Sequence, residues 1–292
     1  MINSEVVYKS TGIEANVKNV EGIGDLYAKH VASIISYVVK EDLIPVLDWN
    51  KNISYVFCVP RVASLLPAHV SPIVCDDPTW AFFSVVDYLA ASREHKDNFI
   101  DPTSVTAGSF MAPKGVRVGP RTKLEHFCSV YESTTIGADS IVRSGAAVGL
   151  DTFQHQRTTR GIISPRHDGS LFIGNRVEIG ANCSISRGFS YRDTIIADDV
   201  KIDCNVSISH GVQIGKGSII CAGALILGHS RLGENVFVGP GATVRNRVSI
   251  DDGARVSIGS VVTRDVPTGK TVTGNFAVPH EDWLMFMKQL TK

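Results

Sequence analysis

From Ile100 onward the chain places an aliphatic or small residue at every sixth position: Ile100, Thr106, Ala112, Val118, Leu124, Val130, Ile136, Val142 and Val148. The beat is lost, resumes at Ile173, Ile179 and Ile185, and is lost again at FSYRD. It then runs unbroken from Ile196 through Ile202, Ile208, Ile214, Ile220, Ile226, Leu232, Val238, Val244, Ile250 and Val256 to Val262. Self-similarity at a fixed period marks a solenoid, because one unit cannot bury its apolar face alone whereas stacked units can. Four residues after many of the aliphatics stands a small residue (Ser140, Ala146, Cys183, Ser218, Ala224, Ala242, Ala254), and Gly or Asp often follows the aliphatic directly, as at Gly137, Gly180, Gly215 and Asp251. Each hexad therefore reads as a short strand and a tight corner, with two side chains inward and Gly, Asn or Asp supplying the corner dihedrals. Three hexads close one coil, and coils stack at about 4.8 Å.

Residues 1–98 lack the beat. They mix apolar alternation (ISYVVKEDLIPVLDW, ISYVFCVP, SPIVCDD) with TWAFFSVVDYLAASREHK, whose Phe82, Phe83, Val86, Leu89 and Ala90 follow helical spacing. The expected division is a small N-terminal α/β, nucleotide-binding-like domain over 1–98 and a β-helix over 99–268 with loops at 151–170 and 187–194. A C-terminal extension and helix follow over 269–292, opened by proline in PHEDWLMFMKQLTK, where Trp283 and Phe286 are expected to pack. Lys and Arg total 29 against 29 Asp and Glu, so no basic footprint for nucleic acid stands out. No segment reaches the roughly 18 apolar residues of a membrane span, and MINSEVVYKSTG lacks a leader pattern, so a cytoplasmic protein is expected. Six cysteines without a CxxC pair read as small buried thiols, not as a disulfide or zinc framework.

The hexads resemble those of the hexapeptide-repeat acyltransferase superfamily, and that resemblance, against the usual crossover preference, implies a left-handed parallel β-helix. Within the superfamily, the stretch from LDTF at Leu150 to QIG at Gly215 is similar to the UDP-3-O-acylglucosamine N-acyltransferases of the lipid A pathway. Asp151-Thr152-Phe153 resembles that family's Asp-Gly-Phe loop. Pro165-Arg166-His167-Asp168-Gly169 resembles its Pro-His-x-Gly return with one residue added. Ile179 to Gly188, Arg187 included, looks like IGANTTIDRG, Asp193-Thr194 like its DT element, and Ile202 to His210 like IDNxxxIAH. The segment CVPRVASLLPAHVSPIVCDDPTWAFFSVVDYL is similar to the one joining the family's uridine-binding domain to its helix. There are departures. The family's second histidine falls on Arg247, the Asp of IDRG on Ser186, and the Asn after Ile-Asp on Cys204; of two aromatics that sandwich uracil, only Tyr37 has a counterpart, with Leu43 at the other place. GSVVTRDVPTGKTVTGN resembles the closing coil of CoA-dependent sugar acetyltransferases, with Phe276 where they carry proline, and the long helical tail that docks acyl carrier protein is nearly absent.

Acyl transfer from a thioester to an amine needs a base for the amine proton and a donor for the tetrahedral oxyanion. His210, two residues after Ile208, falls at a corner and points outward, and its ordinary pKa near 6.5 leaves it largely neutral at pH 7. The resemblance makes it the general base, working at a cleft between adjacent subunits of a trimer. It also makes Gly228, one coil further on, the backbone N–H donor to the oxyanion. Tyr37, Asp151, Phe153, His167, Arg187 and Arg247 are candidates for binding the nucleotide sugar, Arg247 through its planar fork, and Arg264 and Lys270 for meeting CoA phosphates. His229, beside Gly228, reads as a corner histidine without a role. The expected activity is a nucleotide-sugar N-acyltransferase. It would move an acyl group from acyl-CoA, acetyl-CoA included, to a UDP- or dTDP-linked amino sugar for surface polysaccharide or lipopolysaccharide, as a homotrimer with no resident cofactor or metal. The alternatives are the lipid A enzyme using acyl carrier protein, a sugar O-acetyltransferase, and a non-catalytic β-helix scaffold.

Overall fold

A computed structural model describes residues 1–106, 108–274 and 277–290, so Phe276 lies outside the described residues. The chain begins with α1 (Ser4–Thr11), capped by the Asn3 side chain, which accepts the Val6 N–H, and closed by Gly12 in the left-handed region. Four parallel strands follow in chain order: β1 (Gly22–Ile23), β2 (Ile34–Val38), β3 (Ile53–Cys58) and β4 (Ser71–Val74). Short helices α2 (Ile44–Trp49) and α3 (Pro60–Ala63) make the crossovers. Then α4 (Pro78–Ala91), with proline in its first turn and Asp77 accepting the Trp80 N–H at 2.9 Å, lays Ala81, Phe82, Phe83, Val85 and Val86 against β2 and β3.

Every sixth residue named above from Val118 onward lies inside one continuous core, nowhere more than 5% exposed, while Ile100 packs against its open end. Three eight-stranded parallel sheets form the three faces of the prism. Ile208 pairs with Ile226 and Ile214 with Leu232, eighteen positions on, as three hexads per coil require. Across the first interruption Ile136 pairs with Ile173, Val142 with Ile179 and Val148 with Ile185. Across the second, Ile173 pairs with Ile196 and Ile185 with Ile208. Both excursions thus return to the register they left.

The corners are more permissive than Gly, Asn and Asp alone. Arg121, Phe127, Arg176, His229 and Arg247 all adopt φ between 55° and 64°, a conformation of some cost to a side chain that the stacked neighbours hold in place. The final helix, α5 (His280–Leu290), buries none of its residues. Trp283 and Phe286, expected to pack, are instead about half exposed, their rings 6.1 Å apart between centroids.

Candidate active site

The two interruptions join the N-terminal unit to the coil. Phe189, from the second excursion, is buried in the core of that unit and stacks on Phe83 of α4, while Tyr191 packs against the opposite cluster of the same unit. From the first excursion, the hairpin Gln156–Thr158/Gly161–Ile163 is tied to the start of α4, since Asp77 also accepts both the N–H and the hydroxyl of Thr159 at 2.6 Å. At the other end of α4 the Arg93 guanidinium donates to the Asp168 carbonyl at 2.7 Å and the Ser170 hydroxyl at 3.0 Å.

Between these surfaces lies a cavity of about 310 Å³ walled by His210, Gly228, His229, Asn246 and Arg247 from the coil, Phe189, Ser190, Gln154 and Gln156 from the excursions, and Asp25, Tyr37, Phe82 and Phe83 from the N-terminal unit. Three imidazoles meet edge to face: His210 and His229, which line the cavity, at 5.2 Å, and His210 and the buried His167, which does not, at 5.4 Å between centroids. Phe189 touches both His167 (4.9 Å) and His210 (5.6 Å). Each of the three histidines buries an Nδ1 that makes no hydrogen bond among the described residues, although that of His167 lies 3.8 Å from Asp151 Oδ1.

Burial disfavours the charged imidazolium, and nearby arginines add to it. His210 is pushed down to about 4 by burial and then by Arg247. His229 is pushed down to about 3, by burial first and then by His210, Arg247 and Arg192. His167 also falls, to about 4, chiefly through burial, with the carboxylate of Asp151 pulling the other way. All three are neutral at pH 7. The His210 ring edge faces Gly228 so closely that a Cβ there would stand 2.8 Å from Nε2. Among the described residues the Gly228 N–H donates no hydrogen bond, while its carbonyl accepts from Arg247 at 3.0 Å.

The other candidates separate. Tyr37 lines the cavity and packs on Phe82 at 4.7 Å. His167 is buried beside His210. Arg187 is also buried, but its guanidinium is taken by Asp151 (2.6 Å) and Glu132 (2.8 Å), so these contacts brace the excursion, and neither Arg187 nor Asp151 lines the cavity of His210. Phe153 is 81% exposed, with its ring edge to face with His155. Arg247 does line the cavity, with its guanidinium engaged by Asp25 and lying 5.3 Å from the Tyr27 ring centroid. Arg264 and Lys270 are exposed near the end of the coil, away from His210, and among the described residues neither forms an ion pair. From the sequence, His229 reads as a corner histidine without a role and Phe83 only as part of a helical face, while Phe189 and the two glutamines carry no signal. The signal for His229 is its place one coil beyond Gly211, whose missing Cβ leaves room for the His229 ring at 2.7 Å.

The description "bacterial transferase hexapeptide (six repeats)" matches residues 193–228. Over 150 residues, 51% of this chain and 49% of that protein, the chain is 39% identical to the probable UDP-3-O-acylglucosamine N-acyltransferase 2, mitochondrial, of Arabidopsis thaliana. It is 40% identical over 161 residues to the UDP-3-O-acylglucosamine N-acyltransferase of Rickettsia akari, covering 54% of this chain and 46% of that one. The chain spans about half the length of these curated relatives. Among solved structures, the UDP-N-acetylglucosamine acyltransferase from Campylobacter jejuni superposes over 62% of this chain and 71% of its own with a TM-score of 0.53 at 23% identity, a likeness of fold. The coil is the left-handed parallel β-helix that the family resemblance implied. Both relatives are named for a UDP-3-O-acylglucosamine acceptor, the kind of enzyme that stood second among the readings of the sequence.

Proposed function

We propose that the chain transfers an acyl group from a thioester to the amine of a UDP-linked amino sugar of the UDP-3-O-acylglucosamine kind. The observation that carries this is a neutral, cavity-facing His210 whose Nε2 side lies against Gly228, in a pocket closed by aromatic residues of the N-terminal unit. In the tautomer with its proton on Nδ1, Nε2 accepts the amine proton as the nitrogen attacks the thioester carbonyl. The Gly228 N–H stands one coil away to donate to the oxyanion, a contribution of about 3 kcal/mol for one such donor. The thiol then leaves with the proton that His210 returns. Tyr37, with Phe82 and Phe83 behind it, offers an aromatic wall for the base or sugar. The relatives' names support the acceptor, and the donor is the thioester of acyl carrier protein or of CoA.

The test is His210→Ala assayed by mass spectrometry with UDP-3-O-acylglucosamine and either acyl carrier protein or CoA thioesters. Loss of at least about a hundredfold in kcat with an unchanged thermal midpoint is expected, whereas wild-type turnover in the variant rejects the assignment. We further propose a homotrimer. Exposed aliphatics on the prism faces, Ile195, Ile219, Leu225 and Val261, support it, and light scattering that returns a monomer would exclude it.

A further inference from the structure

On the far side of His229 lies a second cavity of about 810 Å³, between Tyr27 and His30 of the N-terminal unit, Arg192 of the second excursion, and the coil face carrying Gln213, Arg231 and Arg247. His229 and Arg247 line both cavities, so the two communicate across a single layer of side chains. That layer is ordered: the Tyr191 ring stacks on His229 at 4.9 Å and 5°, and His30 continues the stack at 5.9 Å.

Charge in this cavity is out of balance. Arg247 is matched by Asp25. Arg192 is not matched. Its guanidinium donates to two neutral acceptors, the His229 carbonyl at 2.8 Å and Gln213 Oε1 at 3.0 Å, and among the described residues it meets no carboxylate within ion-pair distance. Burial and the neighbouring Arg231 and Arg247 lower its pKa, the opposite of what a carboxylate partner does. Arg231, exposed on the rim, likewise forms no ion pair among the described residues. The one carboxylate lining the cavity, Asp193, spends Oδ1 on the Ser170 N–H at 2.7 Å. A half-buried guanidinium held in place by neutral acceptors, with a second one opposite, keeps its remaining donors for an anion from outside, and planar donors of this kind suit phosphate oxygens.

We infer that the Arg192–Arg231 cavity binds a phosphate ester or diphosphate, and that a ligand seated there reaches past His229 to the cavity of His210. Only the naming of the substrate that carries the phosphate rests on the acyl-transfer reading: the diphosphate of the nucleotide sugar, or the phosphates of the donor's pantetheine arm. Calorimetric titration of the whole protein with inorganic diphosphate, UDP and CoA distinguishes the sources, with Arg231→Gln and Arg192→Gln as variants. Arg231 is exposed and unpaired, so its variant keeps the wild-type thermal midpoint and carries the test if Arg192→Gln, which also releases the His229 carbonyl, does not fold.

Diphosphate affinity is expected to fall at least about tenfold in Arg231→Gln. A parallel fall for UDP alone assigns the site to the acceptor, and for CoA alone to the donor. Wild-type protein that binds none of the three, or an Arg231→Gln variant that binds all three as wild type does, overturns the inference. No titration needs turnover, so failure of the His210 assignment is seen separately.

Discussion

Gly228 occupies its position because nothing larger fits beside His210. Gly228→Ala would drive a methyl to within 2.8 Å of Nε2, and the imidazole must turn away or the corner must shift. Misplacement of a reacting group by about 1 Å costs about a hundredfold in rate, so kcat is expected to fall by that order while the thermal midpoint stays close to wild type; a fully active Gly228→Ala would show that His210 does not use the space above it. The same crowding sets a pH dependence. His210 and His229 have folded pKa values of about 4 and about 3, below the ordinary value of 6.5. Between those limits the unfolded chain binds protons that the folded chain refuses. Their contribution to stability is therefore complete above about pH 6.5 and is lost as pH falls toward 4. The thermal midpoint should drop from pH 7 to pH 5, and the drop should shrink in His229→Gln. An unchanged slope in the variant would mean that His229 titrates normally.

Among the elements, α4 does most to place the site, and one carboxylate begins it. Asp77 caps the helix through Trp80 and holds the hairpin through Thr159, which keeps its pKa below the usual carboxylate range despite burial. Asp77→Ala is expected to cost about 1 kcal/mol for the cap and more for the freed hairpin, read as a lower midpoint together with faster proteolysis between Gln154 and Arg166. Proteolysis at the wild-type rate would count against the tie. The coil's elements were legible residue by residue, because a strand of two residues buries one aliphatic and the beat exposes the period directly, as at Ile202, Ile208 and Ile214. His210 was legible through its flanks. The partners of His210 were not. Phe83, Phe189 and Gln156 come from three segments that no period relates, and Asp151 and Arg187, similar to family loop residues, pair with each other instead. Sequence spacing reports what repeats, whereas this site is made where repetition stops.

Across the whole molecule, Phe189 is a contact through which the coil and the N-terminal unit share a core, touching Phe83 on one side and His167 and His210 on the other. Phe189→Ala is expected to destabilise by about 3 kcal/mol and to raise KM for the acceptor, since the aromatic wall would no longer be held against the coil. If denaturant unfolding of the variant stays as cooperative and as late as in wild type, the two units are joined elsewhere. Each excursion leaves the coil and re-enters in the register it left, Ile136 pairing with Ile173 and Ile173 with Ile196. The prism therefore takes no account of how many residues an excursion contains. Changes in length within 151–170 or 187–194 that keep Phe189 and the Thr159 tie to Asp77 leave the stacking of Val142 on Ile179 or of Ile185 on Ile208 in register, so these segments are where the chain can acquire a new acceptor while the coil stays as it is.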